Sequence, residues 1–139
     1  MTEPAQHRAE AAIAELGERV TAARRLTLGV LLDAEQPLSH VEIEATLARN
    51  DARMDRVTLY RVLDWLVSRR LAHKIEGHDR VWRFSAAAGD SHAHFSCTRC
   101  GGVYCLSEIK PVFAVSLPPG FRSSEATLSL KGLCPACSP

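Results

Sequence analysis

The chain has 139 residues, 46% of them hydrophobic and 24% charged, with a formal net charge of +1. This composition excludes a disordered tail, and the apolar runs, such as that around Val30 to Leu32, fall far short of the roughly 20 residues needed to span a bilayer. The N-terminal residues lack a signal peptide's apolar stretch, so a cytoplasmic protein without a membrane partner is expected. Opposite charges balance across residues 1–86, so any nucleic-acid role rests on individual arginines.

Ala9, Ala12, Ile13 and Leu16 recur at helical spacing and Gly17 follows as a stop, which predicts a first amphipathic helix. A second helix is predicted from Thr21 to about Ala34, with Leu28, Leu31 and Leu32 inward and Gln36-Pro37 ending it. Ser39-His40-Val41-Glu42 is a Ser-x-x-Glu capping box, which satisfies orphan amides at the start of a helix carrying Ile43 and Leu47 and finishing near Asn50. From Asp55, the residues Leu59, Leu63, Leu66 and Val67 form the stripe of a core-facing helix. Arg56, Tyr60, Arg61 and Asp64 fall off that face, which makes this the candidate recognition helix. Leu71 to Ile75 and Val81 to Phe84 are two β-like runs around Glu76 to Arg80, the pattern of a hairpin. Helices followed by a β-hairpin is the order of a winged helix-turn-helix, expected here over residues 1–84.

Ser85 to Asp90 is small and polar and reads as a linker over 85–90, leaving 91–139 as a second domain. His94 to Ser96 and Val103 to Leu106 flank a cysteine pair like two strands of a hairpin. Glu108 to Ser116 has the pattern of a short helix, with Pro111 fitting its first turn. Pro118-Pro119-Gly120 reads as a turn, and Ser124 to Lys131, with alternating Ala126, Leu128 and Leu130, as a strand. The expected class is α+β: a winged helix-turn-helix followed by a small α/β domain.

All five cysteines lie within residues 97–139, and an odd number in a chain without an export signal argues for metal ligation or redox chemistry over a disulfide framework. Cys97-Thr-Arg-Cys100-Gly-Gly and Cys134-Pro-Ala-Cys137 supply four thiolates, the complement of a closed tetrahedral structural zinc site. The glycines after Cys100 permit a tight turn whose amides can point at the sulfurs. Residues 101–133 form a longer interval than the roughly 15–20 residues of a compact zinc ribbon, so the site would staple two distant strands. A dithiol oxidoreductase is the rival from another class, but no thioredoxin-like βαβ pattern surrounds either pair. A zinc-ribbon interaction module is a third reading, which leaves the recognition-like helix without a purpose. Such a site holds structure and is no sign of catalysis, so neither enzymatic activity nor a small-molecule substrate is expected.

His92 and His94 are alternate residues of an extended segment and face one way. Cys105 stands on the neighbouring strand, and His73 on the first wing strand, in the other domain. Were these four to meet, they would form a mixed nitrogen and sulfur site suited to Zn²⁺. A lone wing histidine is more often a surface residue, and Cys105 can equally serve as a small buried hydrophobe. His78, in the wing turn, is the alternative to His73, while His7 and His40 have less to commend them.

Three pieces of this chain resemble the ferric uptake regulator (Fur) superfamily of bacterial metalloregulators. Val20-Thr21-Ala-Ala-Arg24 resembles its helix-opening segment, Val57-Thr58-Leu59-Tyr60-Arg61-Val62-Leu63 its recognition-helix signature, and His92-Ala-His94-Phe-Ser-Cys97-Thr-Arg-Cys100-Gly its His-x-His-x-x-Cys-x-x-Cys-Gly core. Within it, Leu71-Ala72-His73-Lys74-Ile75-Glu76 is similar to the wing strand of the zinc uptake regulator (Zur) branch, whose histidine is a regulatory zinc ligand. The resemblance implies a homodimer that grips a palindromic double-stranded operator when metal is bound and represses genes of zinc uptake and homeostasis. It implies two zinc ions per chain, one structural at Cys97, Cys100, Cys134 and Cys137 and one regulatory at His73, His92, His94 and Cys105. It also implies DNA contacts from Arg56, Thr58, Tyr60 and Arg61, from Arg24 and Arg25 at the second helix, and from Arg80 in the wing turn. The chain departs from the family pattern in carrying Gln36-Pro37 where many members have a histidine, and Phe84 or Ser85 where they have a wing acid or cysteine. A sensor of iron, nickel, manganese or peroxide is the alternative within the superfamily, and the soft ligand Cys105 disfavours it.

Overall fold

The computed structural model describes residues 2–77, 79–86, 93–106, 109, 116–122 and 128–139. Helix starts in the N-terminal part are set locally, by side chains that satisfy the first free amides. Thr2, Thr21, Ser39 and Asp55 accept hydrogen bonds from the amides of Ala5, Arg24, Glu42 and Thr58, and open α1 (Glu3–Glu15), α2 (Ala22–Asp33), α3 (His40–Arg49) and α4 (Arg56–Ser68) in turn. At Ser39 the box is reciprocal: the Glu42 amide donates to Ser39 Oγ at 3.3 Å and the Ser39 amide to Glu42 Oε1 at 3.2 Å. Beyond α1 the chain turns at Gly17, whose φ of +73° is a left-handed conformation that glycine adopts without strain.

The expected inward stripes meet in one core. Ile13 of α1, Leu28 and Val30 of α2, Ile43 and Leu47 of α3, and Leu59, Leu63 and Leu66 of α4 are all buried there, with Phe84 closing it from the wing. The wing is the hairpin of β2 (Ala72–Glu76) and β3 (Trp82–Ala86). A two-residue strand between α2 and α3, Leu38–Ser39, adds to its edge by pairing antiparallel with β3, Leu38 opposite Phe84. With that strand numbered β1 and the wing strands following, the order is β1-β3-β2, the sheet of a winged helix. β3 continues through Ala86 because Ser85 and Ala86 pair with His73 and Ala72. The segment expected as a linker over 85–90 therefore begins inside the wing, and residues 87–90 lie outside the described residues.

The chain divides into two compact units between Ala87 and Ala88. In the second, β4 (Ala93–Cys97) is flanked by β5 (Val103–Leu106), antiparallel, and by β6 (Ser129–Gly132), parallel. Pro118 to Phe121 forms the expected turn, with the Phe121 amide on the Pro118 carbonyl at 3.2 Å and Gly120 at φ +91°. The helix expected over 108–116 falls almost wholly on residues outside the described ones, as do residues 124–127 of the strand expected over 124–131. Helices and small sheets together make the class α+β. No described helix is long and apolar enough to cross a membrane.

Ser39→Ala removes one half of the capping box and is expected to cost about 1 kcal/mol, whereas Leu63→Ala, at a fully buried site, should cost about 2–5 kcal/mol. Urea unfolding of the full chain measures both, and equal losses would contradict the placement of Leu63 at the centre of the core.

Candidate metal centre and nucleic-acid interface

The four cysteines singled out by their spacing are brought together. Their sulfur atoms all lie within 4.8 Å of one another, and none of the five cysteines is in a disulfide. The long sequence interval is closed by the sheet. Parallel pairing of β4 with β6 sets Cys97 opposite Gly132, so the turn carrying Cys134 starts beside the turn carrying Cys100. Thr98 ties the two turns with its amide and its hydroxyl, both donating to the Gly132 carbonyl at 2.8 and 3.2 Å.

Backbone donors face the sulfurs. The amides of Cys100 and Cys134 each point at Cys97 Sγ at 3.5 Å, and that of Gly102 at Cys100 Sγ at 3.4 Å. Gly101, at φ +75°, makes the turn that allows this. These donors favour the thiolate, and the Cys97 thiol is drawn down to about 6, first by the Cys100 amide and then by that of Cys134. Cys137 is pushed up to about 12, chiefly by its hydrogen bond to Cys134. Four sulfurs this close titrate as a set, and a divalent cation among them would favour every thiolate. The spacing fits such an ion. Zinc–sulfur bonds of about 2.3 Å at tetrahedral angles set sulfurs about 3.8 Å apart, and Cys100 Sγ lies 3.8 Å from Cys134 Sγ.

Tyr104 is a neighbour that the cysteine spacing did not reveal. Its phenol draws the Cys134 thiol below its usual value, and the cysteine sulfurs, Cys134 first, push the phenol up to about 12. The signal was available in strand alternation: Tyr104 stands opposite Phe95, which shares a face of β4 with Cys97.

The second candidate set is placed only in part. His94 and Cys105 are direct partners across β4 and β5, on the sheet face away from Cys97. His94 is buried and Cys105 half-buried. His73 sits on β2 opposite Ser85, in the N-terminal unit. His92 and His78 lie outside the described residues.

On α4, the burial of Leu59, Leu63 and Leu66 turns Val57, Tyr60, Arg61 and Asp64 outward. Val57, which the apolar pattern did not mark, is 60% exposed. The Tyr60 ring packs against His40, at the start of α3, with centroids 5.2 Å apart. Thr58 is half-buried in the first turn, where its amide donates to the Asp55 carboxylate at 2.6 Å. Of the other expected contacts, the Arg24 guanidinium carbon sits over the Trp65 ring, 3.7 Å from its centroid, and Arg24 donates to the Arg19 carbonyl at 2.8 Å. Arg25 pairs with Glu10 at 3.3 Å and Arg56 with Glu44 at 3.2 Å, carboxylates that sequence reasoning did not connect to them.

Arg80 stands at the wing tip with φ +63°, its amide donating to the Gly77 carbonyl at 3.0 Å. The tip is braced by a bidentate pair: Arg83 Nη1 and Nη2 reach the two Asp79 carboxylate oxygens at 3.0 Å each. A Cβ on Gly77 would meet both Arg83 Nη1 and Asp79 Oδ1, so a side chain there would have to displace this brace.

A winged helix with a polar and aromatic outer helix face, in one chain with four convergent cysteines, is now in view. Residues 15–110 match the Ferric uptake regulator family. The chain belongs to that family. Among relatives, the Transcriptional regulator FurA of Mycobacterium tuberculosis is 35% identical over 88 residues, 61% of this chain and 60% of FurA, so the match spans about three fifths of that relative. The Zinc uptake regulation protein of Escherichia coli is 25% identical over 134 residues, 93% of this chain and 78% of that one. In fold, the chain resembles a zinc uptake regulator solved with zinc and DNA, with a TM-score of 0.67 at 21% identity, covering 99% of this chain and 96% of that structure.

In this Fur-family wing, Arg83 holds the Asp79 carboxyl down to about 2, against an ordinary 3.8. The fold therefore favours the carboxylate, and this contribution is full above 3.8 and is lost as pH falls from there toward 2. Carboxyl-detected NMR should find the Asp79 midpoint near 2 in the native chain and closer to 3.8 in Arg83→Ala. A midpoint that does not move in the variant would refute the brace.

Proposed function

We propose that this Fur-family chain is a zinc-responsive transcriptional repressor, acting in the cytoplasm as a homodimer on double-stranded operator DNA that controls zinc uptake genes. The observation that carries the reading is the outer face of α4, with Tyr60 and Arg61 presented by a winged helix in the same chain as the four-cysteine cluster. In that fold the exposed side chains of the recognition helix enter the major groove. Arg61 can bond a guanine edge with two donors or clamp a phosphate, and Tyr60 offers an aromatic edge beside it. Arg24 is pre-oriented by Trp65 for a phosphate, and Arg80 at the braced wing tip for another. Arg25 and Arg56 would have to leave Glu10 and Glu44 to act in the same way.

Zinc at Cys97, Cys100, Cys134 and Cys137 would supply the positive charge that lets four thiolates share one place. The sensory set is His73, His92, His94 and Cys105. Its support is the family resemblance together with the register that sets His94 beside Cys105, and the soft sulfur among them favours zinc over harder ions. Shifting a dimer from about 1% to 99% binding-competent takes roughly 5.5 kcal/mol of differential affinity, which lies within the roughly 10–16 kcal/mol that structural zinc contributes in small peptides. Homodimer formation draws support from the apolar side chains that the C-terminal unit leaves exposed, Phe121 at 68% and also Leu117, Leu130 and Leu133.

A gel shift on a promoter fragment upstream of a zinc-transporter gene, with zinc titrated against iron, manganese and nickel, tests this. Arg61→Ala should weaken binding by about 10- to 100-fold. Cys105→Ser and His73→Ala should fold and keep one tightly bound zinc per chain, but lose zinc-dependent binding. Unimpaired zinc response in both variants would remove them from the sensory site, and binding driven by another ion alone would overturn the zinc assignment.

A further inference from the structure

Among the described residues of the N-terminal unit, Val57 is the most exposed large apolar side chain, at 60%. The rotation of α4 that buries Leu59, Leu63 and Leu66 cannot also bury Val57. Valine is a poorer helix former than the straight-chain residues that suit an exposed turn, so helix propensity does not explain it either. Its neighbours three and four residues on are Tyr60 and Arg61, both exposed on the same face. Val57 is the second residue of α4, and the amino-terminal residues of a recognition helix are the ones that reach base edges in the major groove. A valine side chain neither donates nor accepts a hydrogen bond. Of the groups that base pairs present in that groove, the apolar one is the C5 methyl of thymine. Branching at Cβ holds a helical valine in essentially one χ1 setting, so little rotamer freedom is lost on contact.

We propose that Val57 is a specificity-determining residue, packing its methyl groups against the C5 methyl of a thymine in each operator half-site, beside the base or phosphate that Arg61 takes. The proposal rests on the repressor reading above and names what this helix face selects, a base step that carries thymine.

The test uses the full-length, zinc-loaded chain and the promoter fragment of the gel shift above, trimmed to the stretch that the chain protects from nuclease. Each thymine there is replaced in turn by deoxyuridine, which keeps the base pair and removes only the methyl. Wild type should lose about fourfold in affinity at one thymine per half-site, the worth of one buried methylene-sized group. Val57→Ala should bind the unmodified fragment about fourfold more weakly or worse and no longer distinguish thymine from uracil at that position. Its urea midpoint should be no lower than that of wild type, since the side chain is exposed. A wild type that protects no DNA would defeat the repressor reading and the role of Val57 with it. Protection that is indifferent to every uracil would overturn the role of Val57 and leave that reading intact. A uracil penalty of equal size in wild type and Val57→Ala would assign the methyl contact to another side chain and overturn it too.

Discussion

The burial of Leu59, Leu63 and Leu66 fixes the rotation of α4 about its axis, and what the N-terminal unit offers to a partner follows from that rotation. A helix has one angular setting that puts three leucines at this spacing into a core. Given that setting, Val57, Tyr60 and Arg61 have no choice but to face outward. The other helices serve the same end. α2 brings Arg24 onto Trp65 of α4, and α3 brings His40 against Tyr60, so the outward face is supported at both flanks.

In the C-terminal unit the corresponding part is played by β4, the central strand of its sheet. Alternation gives it two unlike faces. Cys97 joins the sulfur cluster on one, while His94 meets Cys105 on the other. A strand of five residues thus contributes to both proposed metal sites without either set of ligands crowding the other. Charge control differs between them as well: backbone amides face the sulfurs, whereas His94 is the buried imidazole of the second face.

What could be read from the chain was whatever depends on neighbours in sequence. Capping by Thr21, Ser39 and Asp55 involves residues three apart, so helix starts were legible to within a residue. The two-residue spacing within each cysteine pair was equally plain. The strand at Leu38–Ser39 was not, because it exists only through pairing with Phe84 and Arg83. Ser85 and Ala86 have the composition of a linker but are held in the wing by β2. The partners of Arg25 and Arg56 lie 15 and 12 residues away in sequence, beyond the reach of a helical repeat. Tyr104 sat one residue from a cysteine under scrutiny, and its place on the cysteine side of the sheet depends on which way its strand faces.

Parallel alignment of β4 and β6 brings both cysteine pairs out at the same end of the sheet. Antiparallel pairing would send the second pair to the far end, and a slip of one residue would swing Cys97 to the wrong side. An ion held by all four sulfurs would therefore require correct strand alignment, since a misaligned chain offers no four-sulfur pocket to close.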